Sequence, residues 1–220
     1  MNKSPTKDRL GYKSFYRRNL PHIQPLDTSL FVTFRLVNSL PSEVLARMAE
    51  ERRQLERVLR PASPSAESRF RELARRYFKT LESCLDKAAN GPTWLADQRV
   101  ANLVAEALHY RDSKDFRLDC FSIMPNHVHT VFKPLGEEAP SKSLSSIMHS
   151  LKRNTAKQAN RVLERSGAFW EHESFDHYIR DETERKRIVK YVLENPVKAG
   201  LVRHWTEWPW SYLRKAPDAS

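Results

Sequence analysis

Residues 124–132, MPNHVHTVF, place two histidines one residue apart inside an apolar run. Side chains along a strand repeat with period 2, so His127 and His129 project to one face and Val128 to the other. Two imidazoles on one face are half of a metal site, or else two histidines serving packing or the surface. The pair alone does not decide. A metal held by two imidazoles needs a further N or O donor, and a catalytic metal keeps positions open. Residues 183–195 offer a donor and a reactive group together. Tyr191 and Asn195 are four apart, so they stack one turn from each other on a helix face. Asn195 directly precedes Pro196, where the helix is expected to end and let the amide protrude. A tyrosine hydroxyl is a poor nucleophile at its ordinary pKa of about 10. Beside a divalent cation that polarises a phosphodiester, a phenolate can attack phosphorus and form a covalent phosphotyrosine. The plainer alternative has Tyr191 packing beside Ile188 and Val192.

Other residues compete for these roles. Tyr178, in FDHYIRD, is a second candidate nucleophile, but it sits in an expected strand with no amide four residues later. His172 and His177 lie outside the pair geometry and fit loop orientation or phosphate contact. Glu171 and Asp176 could support ligands from behind or be solvated. A zinc hydrolase would need a signature such as HExxH, which is missing, and Asn195 is a poor zinc ligand.

The elements that must position these groups follow from pattern. SLFVTFRLV (29–37) is β-branched and aromatic and predicts a strand, with Phe31 and Thr33 facing away from Val32 and Phe34. A helix opens after Pro41, RPASPSAES (60–68) reads as a hinge, and helices are expected over 68–88 and 93–112, separated by NGP (90–92). Strands follow at 116–125 and 127–135, then an amphipathic helix at 143–164 carrying Arg153, Lys157 and Arg161 as a basic stripe. Residues 168–181 read as a loop with a short strand, and 183–201 as a helix. The order implies an α+β fold with an antiparallel sheet. Residues 41–112 look like a helical insertion within one domain spanning 1–220, and 204–220 is a Trp-rich C-terminal tail.

Composition narrows the partner. Thirty-eight Lys and Arg face 27 Asp and Glu, a net charge of +11, which favours a polyanion, nucleic acid before anionic membrane. Residues 1–20 form a basic arm containing Arg17 and Arg18, with no apolar core of a secretory signal. No run reaches the roughly 18 apolar residues of a membrane span. Cys84 and Cys120 match no CxxC pattern and fit free thiols in a reducing cytoplasm. Trp205, Trp208 and Trp210 could stack unpaired bases or pack the tail onto the sheet.

PNHVH in a strand, a basic amphipathic helix, FWEHESFDHYIRD and YVLENPVKAGLV, in that order, resemble the REP-associated tyrosine transposases, a branch of the single-tyrosine HUH transposases of insertion sequences. RRNLPHIQP with FVTFRL, and WPWSYLR near the C-terminus, resemble the same group, so the likeness covers roughly 17–38 and 116–214. It implies a ferredoxin-like antiparallel sheet flanked by helices, with His127, His129 and Asn195 as ligands to Mg²⁺ or Mn²⁺ and Tyr191 as nucleophile. It implies cleavage of single-stranded or hairpin DNA through a 5′-phosphotyrosine with a free 3′-hydroxyl, rejoined without ATP. The DNA surface would combine Arg17, Arg18, Arg153, Lys157, Arg161, Arg187, Lys190 and Lys198. A cytoplasmic, nucleoid-associated protein is expected, with monomer and homodimer both open. A hairpin-DNA binder of the same fold without cleavage is the alternative.

Overall fold

The computed structural model describes residues 28–58, 64–85, 91–135 and 142–215, with the backbone alone at 16–17 and 21–22. Strands β1 (Tyr16–Arg17) and β2 (Pro21–His22) pair with each other. The framework is a five-stranded sheet of β3 (Leu30–Leu36), β4 (Phe116–Ile123), β5 (His127–Pro134), β6 (Trp170–Tyr178) and β7 (Ser211–Leu213), ordered β6-β3-β5-β4-β7. Every pairing in it is antiparallel. Counting β3 to β6 in chain order, the sheet runs fourth, first, third, second, which is the ferredoxin-like arrangement expected. The helices are α1 (Ser42–Val58), α2 (Pro64–Leu85), α3 (Gln98–Arg111), α4 (Leu144–Val162) and α5 (Glu182–Lys198).

The period-2 alternation sorts the two faces. Val32, Phe34, Val128 and Phe132 pack against Val104 and Leu108 of α3 and Ile147 and Leu151 of α4. Phe31, Cys120 and Val131 pack against Ile188, Val192 and Leu193 of α5 on the opposite face. Each of those three α5 side chains, buried, contributes roughly 1.5–3 kcal/mol toward holding the helix on the sheet. A bulge between Leu118 and Cys120 reverses the phase of β4, so Leu118 joins the α3–α4 core and Cys120 the other.

The expected insertion at 41–112 divides in two. Helix α3 belongs to the main core, as the crossover between β3 and β4. Helices α1 and α2 share a separate cluster of Leu40, Met48, Leu81 and Leu85, with Phe175 of β6 against it. Helix α2 starts at Pro64, inside the expected hinge, because proline at the first helical position gives up an N–H that would lack a partner anyway. Strand β6 spans nine residues rather than a short stretch. It is an edge strand with polar residues on both faces, which hides the alternation.

A correction also applies to α5. It runs through Pro196 to Lys198 instead of ending before it. Its C-terminus is closed by Ala199 N–H donating to the Asn195 carbonyl, Gly200 to Val197 and Leu201 to Pro196, with Gly200 at φ 70°. That closure satisfies the last carbonyls and offsets the single N–H that proline lacks. Asn195 is therefore buried rather than protruding. The Trp-rich tail adds β7 to the edge of β4, with Trp208 Nε1–H donating to the Ile123 carbonyl and Trp210 Nε1–H to Asn102 Oδ1. The packing reading of these tryptophans is the one observed.

Candidate functional site

Strand register builds the site. His129 stands opposite Thr33 of β3, and His127 opposite Arg35. Both imidazoles are fully buried, on the face covered by α5. Thr33 Oγ1 lies 2.8 Å from His129 Nδ1. Asn126 Nδ2–H donates to the Leu85 carbonyl at 3.1 Å, which turns its Oδ1 toward His127 Nδ1 at 2.6 Å. An amide oxygen only accepts, so His127 Nδ1 carries the hydrogen and Nε2 keeps its lone pair. Burial, and then the neighbouring His129, hold the His127 pKa well below the usual imidazole value, so this ring is neutral. The two Nε2 atoms face each other at 2.9 Å.

The tyrosine meets this pair. Its ring lies 5.5 Å from that of His129, with Phe31 at 6.1 Å and Phe78 of α2 at 5.9 Å, all edge-on. Asn195 Nδ2–H donates to Tyr191 Oη at 3.4 Å, and Asn195 Oδ1 is buried with no hydrogen-bond partner among the described residues. Lys198 Nζ sits 4.5 Å from the Tyr191 ring centroid. Tyr178 is on the wrong side. It pairs with Leu30, whereas Phe31, facing the histidines, pairs with His177, so Tyr178 points into the α3–α4 core.

The remaining candidates have structural partners. His177 and Arg180 engage Glu184, whose carboxyl, raised by burial but lowered further by the Arg180 and His177 hydrogen bonds, is held at about 2. Glu171 pairs with Arg35, and His172 stands exposed beside Glu173. Arg153, Lys157 and Arg161 line the exposed side of α4 as expected. Arg187 and Lys190 are exposed too, each with an acidic neighbour, Glu184 and Glu194. Arg17 is described in its backbone alone, and Arg18, like most of the arm, lies outside the described residues. Both cysteines are free, and burial pushes the Cys120 thiol far up, leaving it unreactive.

Three residues joined the site without being singled out in the sequence: Thr33, Asn126 and Glu82. Glu82 lies on α2 in the apolar stripe, four residues after Phe78 and three before Leu85. A charge inside an apolar stripe is a readable signal. Its Oε2 reaches 3.4 Å from His129 Nε2. A cleft of about 260 Å³ between α1, α2 and the β3–β6 pair opens beside the site and is lined by Thr33, Arg35, Tyr77 and Phe175.

The donors suit a divalent cation. Two nitrogens bound side by side on an octahedral ion at about 2.1 Å stand about 3.0 Å apart, and the Nε2 atoms stand at 2.9 Å. Asn195 supplies an uncommitted buried oxygen. Among the described residues, no three His, Cys, Asp or Glu side chains are gathered into a ready metal cluster. Also among the described residues, no helix is long and apolar enough to cross a membrane.

Residues 93–195 match the family model of IS200-like transposases. A Haemophilus influenzae protein whose name places it with the REP-associated tyrosine transposases is 26% identical over 106 residues, 46% of this chain. The chain spans about 60% of the length of that relative. A solved REP-associated tyrosine transposase bound to a REP hairpin aligns at a TM-score of 0.46 and 16% identity, over 90% of this chain and 81% of that one. The matched stretch, residues 93–195, holds both histidines, Tyr191 and Asn195, and over it the chain is similar to the IS200-like transposases.

Proposed function

We propose that this protein is a metal-dependent transposase that cuts and rejoins single-stranded or hairpin DNA through a covalent bond to Tyr191. The observation that carries the reading is the Tyr191 ring packed against His129, on the face that holds both imidazole Nε2 atoms. His127, His129 and Asn195 would hold Mg²⁺ or Mn²⁺, whose positive charge polarises the scissile phosphate.

The chain's own residues supply the rest. Phe31 and Phe78 fix the phenol ring edge-on, limiting the directions from which Oη can approach phosphorus. The Asn195 amide hydrogen is donated to Oη, and the Lys198 ammonium stands over the ring. Attack by Oη forms the phosphotyrosine ester as the 3′-oxygen leaves, one P–O bond replacing another. The reverse step therefore needs no outside energy source. Arg153, Lys157 and Arg161 contribute a sequence-independent phosphate surface. The name of the Haemophilus influenzae relative supports repeat-associated DNA as the substrate class.

The test is a denaturing gel of the protein incubated with Mn²⁺ and a labelled oligonucleotide containing the hairpin that flanks its own gene. A metal-dependent covalent adduct, absent from Tyr191→Phe, is expected. Tight binding without an adduct under either metal would instead mark a hairpin-binding protein that does not cleave.

A further inference from the structure

We infer that Glu82, carried by helix α2, is an anionic ligand to the divalent cation of the histidine pair; this rests on the metal-dependent reading above. Glu82 is 7% exposed, and neither carboxylate oxygen has a hydrogen-bond partner among the described residues. A carboxylate stripped of water with no donor is strongly unfavourable unless a cation faces it. The group it does approach is His129 Nε2, at 3.4 Å. That same nitrogen faces His127 Nε2, which is an acceptor because Nδ1 holds the hydrogen donated to Asn126. One hydrogen on His129 Nε2 cannot satisfy both acceptors well. A divalent cation can, and without Glu82 its donors are two neutral imidazoles and an amide, a set with no charge for a hard oxygen-seeking ion.

The position of Glu82 is fixed from two sides. Leu81 and Leu85, beside it on α2, are buried with Leu40 and Met48. The Leu85 carbonyl accepts from Asn126, the residue that also orients His127. Helix α2 is thus tied to the start of β5, and the carboxylate stands one turn from that tie. No closed cluster of three such ligands is present among the described residues. Binding therefore requires the carboxylate, which has no hydrogen bond to break, to swing toward the imidazoles. The family match begins at residue 93, so α2 and Glu82 lie outside it.

Calorimetric titration of Mn²⁺ into the metal-free full chain, with melting curves, tests this. Glu82→Gln should bind Mn²⁺ at least tenfold more weakly and lose the rise in Tm that Mn²⁺ gives the wild type. Without metal it should melt at or above the wild-type Tm, since a buried carboxylate with no hydrogen-bond partner among the described residues is gone. Wild-type affinity in Glu82→Gln, with binding abolished in His127→Ala, overturns the Glu82 assignment and leaves the histidine site standing. A wild-type chain that binds no Mn²⁺ overturns both. Anomalous scattering from Mn²⁺ in wild-type crystals reads the same point without a variant. The peak should lie within bonding distance of a Glu82 oxygen, and a peak held by the histidines without Glu82 refutes the inference.

Discussion

Replacing Asn126 by alanine separates the tie between α2 and β5 from the chemistry of the imidazoles. The side chain is buried and makes two hydrogen bonds, to the Leu85 carbonyl at 3.1 Å and from His127 Nδ1 at 2.6 Å. Its removal leaves one buried acceptor and one buried donor without partners, at about 1–3 kcal/mol each. A loss of about 3 kcal/mol corresponds to a fall of roughly 6–12 °C in Tm for a chain of this size. The second effect is on His127. Without the amide oxygen nothing holds the hydrogen on Nδ1, and removal of such a supporting partner weakens metal binding about 10–100-fold. Asn126→Asp is the control, because it keeps an acceptor for His127 while losing the donor to Leu85. Melting curves and Mn²⁺ titrations should show Tm lowered in both variants and metal affinity lowered chiefly in Asn126→Ala. Unchanged Mn²⁺ affinity in Asn126→Ala would refute the tautomer argument, and an unchanged Tm would refute the tie to α2.

Further outcomes follow from other residues. His127 has a folded pKa well below its unfolded value near 6.5, so below that pH the unfolded chain binds a proton that the folded chain does not. Its share of stability is full above about pH 6.5 and falls as pH drops, by up to about 1.4 kcal/mol per unit. Urea midpoints of the metal-free protein at pH 7 and pH 5 should show the loss, and His127→Gln should flatten it. Changing Arg153, Lys157 and Arg161 together to alanine should reduce the salt slope of single-stranded DNA binding by about 2, read by fluorescence anisotropy across salt concentrations. Gly91 has φ +82° and would place a Cβ 2.1 Å from the Asn38 carbonyl oxygen, so Gly91→Ala should destabilise by more than about 1 kcal/mol in chemical denaturation.

Local periodicity made much of this molecule readable. The spacing of His127 and His129 placed both on one face, and the four-residue step from Tyr191 to Asn195 placed both on one side of α5. The ferredoxin-like order came from the family likeness, and the observed strand order agrees with it. What stayed hidden depends on contacts between distant residues. Thr33 is 96 positions from His129, and no spacing rule links them. Asn126 stood in view within PNHVH, between the two expected strands, but its bond to Leu85 runs across 41 positions. The helix stop expected at Pro196 failed because a C-terminal closure at Gly200 outweighs one missing N–H. Strand β6 was underestimated because an edge strand can be polar on both sides.

The central claim is that Tyr191, rather than Tyr178, becomes bonded to DNA beside the histidine pair. Its most direct measurement is peptide mapping by mass spectrometry after the protein is incubated with Mn²⁺ and its hairpin oligonucleotide and then digested with nuclease and protease. The account predicts a nucleotide 5′-phosphate on the peptide containing Tyr191, lost in His127→Ala. A nucleotide on the peptide containing Tyr178, which points into the opposite core, would contradict it.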